Sequence, residues 1–284
     1  MTTLLLLFAA IGLAPFVVGL ILARRDLVAI SVSSLTGSVL LCALAFNLTF
    51  FWQELWLVLP KALTPGLHPI LFHNDHDWTG SAPIAELLQG TGAVATFISG
   101  FSFAYLLSRL RRVSGSWRLF CFWMAFQGLY QSLTQLAVGT VLPGNDVGRA
   151  LAYLNVGQAG RMALLLVAVA AMAYTALTLV RRFPTEEAAS SSSSASTPGV
   201  LVISALLAVL LVIPFRLPRN LIEAALIPLI VNVIGAGWAI LAVAILPAGP
   251  HASKPVRAAI AGPAISLVAV LLVFQLILRR GISL

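Results

Sequence analysis

The stretch from residue 38 to residue 60, "SVLLCALAFNLTFFWQELWLVLP", decides the fold. It is apolar almost throughout and carries one charged side chain, Glu54. A helix that crosses the hydrocarbon core of a bilayer needs about 20 such residues. The apolar run containing the stretch begins near residue 28 and extends to residue 58, too long for one perpendicular crossing. It predicts a helix that tilts, or that bends near Asn47 into an interfacial segment ending at Pro60.

Comparable runs occur at 3–23, 84–108, 117–141, 160–180, 200–215, 221–247 and 259–278. With 28–58 they predict an all-α, polytopic bundle of about eight transmembrane helices. Composition agrees: of 284 residues 60% are hydrophobic and 9% charged, and the mean hydropathy is +1.01. A soluble domain is about 25% charged, so this chain is built to meet a lipid bilayer rather than water.

The net charge of +8 does not read as a nucleic-acid surface, and no nucleic-acid partner is expected. The basic residues form short clusters beside apolar runs, such as Arg24-Arg25, Arg181-Arg182 and Arg279-Arg280, where they anchor helix ends and set topology. No basic residue precedes the first apolar run, and Arg24 and Arg25 follow it directly. This predicts a retained first helix with its N-terminus outside, in what reads as a bacterial inner membrane. Cys42 and Cys121 lie far apart within apolar runs, with neither disulfide nor zinc spacing, and read as small buried side chains.

The segment 183–199, "FPTEEAASSSSSASTPG", has the composition of a flexible linker. It divides the chain into a five-helix membrane part, 1–182, and a three-helix part, 200–284, across a cytoplasmic link. Polar residues are scarce in the second part, so the chemistry is expected in the first.

That chemistry centres on 68–80, "HPILFHNDHDWTG", which holds three of the four histidines. It lies in a connection, 60–83, stiffened by Pro60, Pro65, Pro69 and Pro83, and a loop of that length is uncommon unless it is functional. Its interleaved apolar residues predict an interfacial or re-entrant cap, with Trp78 as an anchor. The orientation brings Glu54, His68, His73, Asp75, His76, Asp77, Glu86 and Asp146 to the outer face. A catalytic zinc takes three protein ligands and a water. His73 and His76, three apart, would share one side of a helical turn, and Asp146 or Glu54 offers a third ligand. The expected site therefore has His73, His76 and Asp146 on a metal, with zinc a candidate ion, and Glu54 as general base. On the fourth helix Gln127, Gln131 and Gln135 recur every four residues, either as interhelical hydrogen-bonding groups or as a polar wall leading to this site. Gly90, Gly92 and Gly100 let a neighbouring backbone approach closely.

The order of these features resembles the site-2 protease family of intramembrane metalloproteases. In "FFWQELWLVLP" Glu54 matches the glutamate of that family's His-Glu-x-x-His helix, with Gln53 and Leu57 at the histidine positions. "LPGNDVGRA" offers Asp146 at the later metal-ligand position, and "AGPAIS", 261–266, is similar to the family's Gly-Pro element. The resemblance implies a metal-dependent hydrolase and carries over only Glu54 and Asp146. Two further functions fit the same residues: a non-catalytic membrane subunit that docks a membrane-protein partner through 60–83, and a proton-coupled transporter using Glu54 and the glutamine face.

Overall fold

The structure is a computed structural model that describes residues 2–23, 32–109, 115–183, 197–246 and 260–284. Helix α1 (Thr2–Phe8) passes through a π-helical turn, Ala9–Leu13, into α2 (Ala14–Ala23). Then follow α3 (Val32–Ala62), the strands β1 (Leu67–Leu71) and β2 (His76–Gly80), α4 (Ala85–Leu88), α5 (Thr91–Arg109), α6 (Gly115–Val141), α7 (Asp146–Tyr153) and α8 (Gln158–Val180). Helix α9 (Thr197–Arg216) leads through a second π-helical turn, Ile222–Leu226, into α10 (Ile227–Ile245), and α11 (Ala261–Leu276) and the short strand β3 (Ile282–Ser283) end the chain.

Among the described residues, seven helical segments are long and apolar enough to cross a membrane, and the chain is an integral membrane protein. Against the eight spans expected from the sequence, the difference is α6, which is long enough at 27 residues but is not one of the seven. Every residue from Cys121 to Thr134 is buried. A helix enclosed by other helices has no lipid to satisfy and tolerates the glutamine, serine and threonine side chains that lower its hydropathy.

Helix α3 is continuous through Asn47, whose side chain donates back to the Ala43 carbonyl at 2.8 Å. Its 31 residues span about 46 Å at 1.5 Å per residue, against a hydrocarbon core of about 30 Å. Pro60 sits within the last turn, and the helix carries Glu54 towards that end.

Glycines set the closest crossings. A Cβ on Gly128 would lie 2.7 Å from the Cα of Gly100, so α5 and α6 touch backbone to backbone. A Cβ on Gly92 would meet Gln53 and Leu57 side chains, each at 2.8 Å, which draws α5 onto α3 beside Glu54. Helix α10 packs on the N-terminal helix in the same way, since a Cβ on Gly237 would lie 2.9 Å from the Phe16 nitrogen. Trp238 donates to the Ile11 carbonyl at 2.9 Å within the first π-turn. One hydrophobic core draws on helices from both sides of the Ser-rich segment. Most of that segment (184–196), together with Arg24, Arg25, Arg111, Arg112, His251, Lys254 and Arg257, lies outside the described residues.

Within the connection 60–83, residues 67–80 form a β-hairpin, not the helical turn expected to carry His73 and His76. Leu71 pairs with His76 and Leu67 with Gly80, while β3 adds to the other edge of β1 through Leu71 and Ile282. Burial alternates along β1, with Leu67, Pro69 and Leu71 inward, which is the period of a half-buried strand.

Candidate functional site

The hairpin delivers two side chains to the end of α3. Glu54 is 4% exposed, and its Oε2 lies 2.7 Å from Nδ1 of His76. The other ring nitrogen of His76, Nε2, lies 3.2 Å from Oε1 of Gln89, at the junction of α4 and α5. Both contacts are within hydrogen-bond reach, so the ring is clamped between Glu54 and Gln89, with the hydrogen positions set by its tautomer.

Asp75 adds a third candidate donor. One ligand atom each from Glu54, Asp75 and His76 can be chosen so that all lie within 4.8 Å of one another. Asp75 is ion-paired with Arg219, which also reaches Glu223 at 3.5 Å. Behind Glu54 a hydrogen-bonded chain enters the bundle: Gln135 donates to Gln53 at 2.5 Å, and Gln53 donates to Glu54 at 3.4 Å.

Trp78 stacks on His76 at 5.8 Å and 9° between planes. The Lys61 ammonium lies 4.5 Å from the indole centroid and the Arg149 guanidinium 5.3 Å away, so Trp78 braces the imidazole against two cations. Arg149 is held in turn by Glu86, which accepts two hydrogen bonds at 2.6 and 2.7 Å. That pairing keeps the Arg149 guanidinium above its ordinary pKa. Asp146 opens α7, after Asn145 has capped it by accepting from the Val147 N–H at 3.0 Å. Burial, reinforced by the Glu54 charge, raises the Asp146 carboxyl above the usual carboxylate range, although His76, Lys61 and Arg149 pull the other way.

Glu54, Asp75, His76 and Asp146 line one cavity of about 680 Å³, within the range of about 300–1,000 Å³ usual for small-molecule sites. Not all of the expected set meets there. His73 does not share a helical turn with His76, because the hairpin bend separates them and turns His73 towards α11. Its ring lies 5.7 Å from that of Phe274, near the main chain of Phe215 and Leu217, though neither nitrogen makes a well-aligned hydrogen bond. Burial lowers the His73 pKa, so it sits as a neutral packing residue. Asp146 belongs to the cavity but not to the close ligand group, whose carboxylates are Glu54 and Asp75. His68 faces outward at a strand position, and Asp77 accepts from the Trp78 N–H at 2.8 Å. Glu86 is engaged by Arg149.

The glutamine stripe divides. Gln127 lies deep in the core and donates to Asn232 at 2.9 Å and to Cys42 at 3.3 Å. Gln131 and Gln135 line the cavity. Gln53, Gln89, Arg216 and Arg219 were not read as site residues. The signal for the two arginines was present in "IPFRLPRN", where basic residues bracket prolines, but such residues also anchor helix ends. Asn74 donates to the Arg216 carbonyl at 3.0 Å and ties the hairpin to α9. Comparison of the chain with family models, with curated proteins and with solved structures finds no match.

Proposed function

We propose that the protein is a membrane-embedded, metal-dependent hydrolase whose site is built from Glu54, Asp75 and His76 and opens on the extracytoplasmic face of a bacterial inner membrane, with the N-terminus outside. The observation that supports this most directly is His76 itself. Its two ring nitrogens are held by side chains of the site, Nδ1 by Glu54 at 2.7 Å and Nε2 by Gln89 at 3.2 Å; with a metal on Nδ1, Nε2–H would donate to the Gln89 amide oxygen. That is the arrangement in which a neighbouring carbonyl oxygen fixes the tautomer of a ligating histidine.

The donor set fits a borderline ion such as zinc, which accepts imidazole and carboxylate together. Zinc would lower the pKa of a water and polarise a carbonyl. Asp75 would join this set with its carboxylate shared with Arg219, and the 2.7 Å contact between Glu54 and His76 would have to open to admit the ion. Asp146, raised by burial in the same cavity, is the proton carrier. It takes the proton of a water whose oxygen bonds to the substrate carbonyl carbon, and returns it to the group that leaves. The roles expected of Glu54 and Asp146 are therefore exchanged, with Glu54 on the ion and Asp146 on the proton.

Metal analysis of the purified full-length protein tests this. One equivalent of zinc or a similar ion is expected, falling at least tenfold in the Asp75→Ala, His76→Ala double variant. Absence of bound metal, or its retention in that variant, overturns the reading. Metal-free protein that still moves protons across liposomes in a Glu54-dependent way would favour a proton-coupled transporter instead.

A further inference from the structure

The cavity has two unlike walls. One is apolar and comes from Leu4, Leu7 and Ile11 of the N-terminal helix and Ile227, Ile230 and Ile234 of the α10 segment. The other carries Glu54, His76, Gln131, Thr134 and Arg216. Three side chains on the polar wall are buried yet incompletely bonded. Arg216 is 4% exposed, Gln131 2% and Thr134 5%. The Nη1 of Arg216, both amide atoms of Gln131 and the Thr134 hydroxyl find no partner within the protein. Arg216 is otherwise well fixed, because its Nε donates to the Glu223 carbonyl at 2.7 Å and its guanidinium lies 4.1 Å from the Phe50 ring centroid. A buried polar group without a partner costs about 1–3 kcal/mol, so this set marks where a ligand's polar atoms belong.

We infer that the cavity takes the single acyl chain of an uncharged lipid ester, with the ester carbonyl on Arg216 Nη1 and Gln131 and the chain along the apolar wall. Charge selects the head group. Glu54, Asp75, Asp146 and Glu223 all line the cavity, so an anionic head would face carboxylates, while an ammonium would bring no acceptor for the unpartnered Nη1 of Arg216 and amide donor of Gln131. An uncharged carbonyl accepts from Arg216 and Gln131 without either conflict.

The lining selects the chain. An extended peptide presents a donor and an acceptor at every residue, and the side chains of the apolar wall answer none of them. An acyl chain asks nothing of that wall.

This inference names a substrate class for the site proposed above and rests on that reading only for its place in the cavity. The test uses full-length protein in nanodiscs of ether-linked phosphatidylcholine, with radiolabelled monododecanoylglycerol as probe and metal content measured in parallel. Saturable binding at one site is expected. The alkyl-ether analogue, dodecanoate and dodecanoylcholine should each bind at least tenfold more weakly, a factor worth 1.4 kcal/mol. Arg216→Met should erase the preference for ester over ether, and Ile230→Trp, filling the apolar side, should block both. Equal affinity for ester and ether in the unaltered protein overturns the inference, as does tighter binding of dodecanoate or displacement only by an extended apolar peptide. Selective ester binding by metal-free protein would uphold it while removing the hydrolase reading, and bound metal without ester selectivity would do the reverse.

Discussion

Replacing Gln89 by Leu isolates the feature on which the metal reading depends. Gln89 is 1% exposed and touches the candidate ion through no atom of its own. It acts through the 3.2 Å contact with His76 Nε2. Leucine is of similar size and removes the acceptor, leaving a buried ring N–H unbonded and the tautomer of His76 unfixed. Loss of such a partner weakens metal binding by about 10–100-fold. A neutral contact at 3.2 Å is at the long end of the hydrogen-bond range, which places the expected loss near tenfold, or about 1.4 kcal/mol. Competition between the protein and a chromophoric chelator for zinc measures it directly. Gln89→Glu should move affinity the other way, since a carboxylate makes the imidazole a stronger ligand. Gln127→Leu is the matched control, because Gln127 is an equally buried glutamine on α6 that bonds Asn232 instead, and zinc affinity should not change. Unchanged zinc affinity in Gln89→Leu, or equal losses in Gln89→Leu and Gln127→Leu, would refute the reasoning.

Three other outcomes follow from the geometry. Gly128→Ala drives a methyl to 2.7 Å from a backbone atom of Gly100 and should destabilise by about 1–3 kcal/mol, whereas Gly262→Ala, open on all sides within 4 Å, should leave the thermal midpoint unchanged. His73 is held below its usual 6.5 by burial, so the unfolded chain binds the extra proton and stability falls as pH drops through 6.5. His73→Phe should remove that part of the acid sensitivity between pH 8 and pH 5, and an identical pH slope in the variant would contradict the assignment. The Asp146 carboxyl is raised from 3.8, so its ionised form costs stability as pH climbs above that value. Asp146→Asn should raise the thermal midpoint more at pH 8 than at pH 5, and a drop at pH 8 would count against it.

The helices were legible because their cause is composition: a segment such as 164–180 that carries no charge has no other stable place than a bilayer or a protein core. Helix α6 was legible as a helix, and its glutamines every four residues marked a distinct face. Which glutamine served which purpose was not, since a repeat gives the face and not the neighbour that faces it. The hairpin was missed for a related reason. His-x-x-His was given a helical period, although "LHPIL" alternates and Pro69 sits badly in a helix interior. In the strand period the two histidines fall on opposite sides of a bend, and Asp75 rather than His73 lies close to Glu54 and His76. Glu54 and His76 were legible as ionisable groups in an apolar setting, while Arg216 looked like an ordinary helix-end anchor until α9 folded against α3.

The glycines and the site are parts of one construction. Gly92 brings α5 against Gln53 and Leu57, the residues that flank Glu54 on α3, and Gly128 locks α5 to α6 from the far side. The amide of Gln53 is thereby confined between α5 and Gln135, with its donors directed at Glu54. A carboxylate on a membrane helix could otherwise reach for water at the interface, as long polar side chains do. Here the backbone crossings hold it inward, towards His76 and the cavity. The small residues of α5 therefore do more than pack: they fix the direction of the one acidic side chain in the stretch that decides the fold.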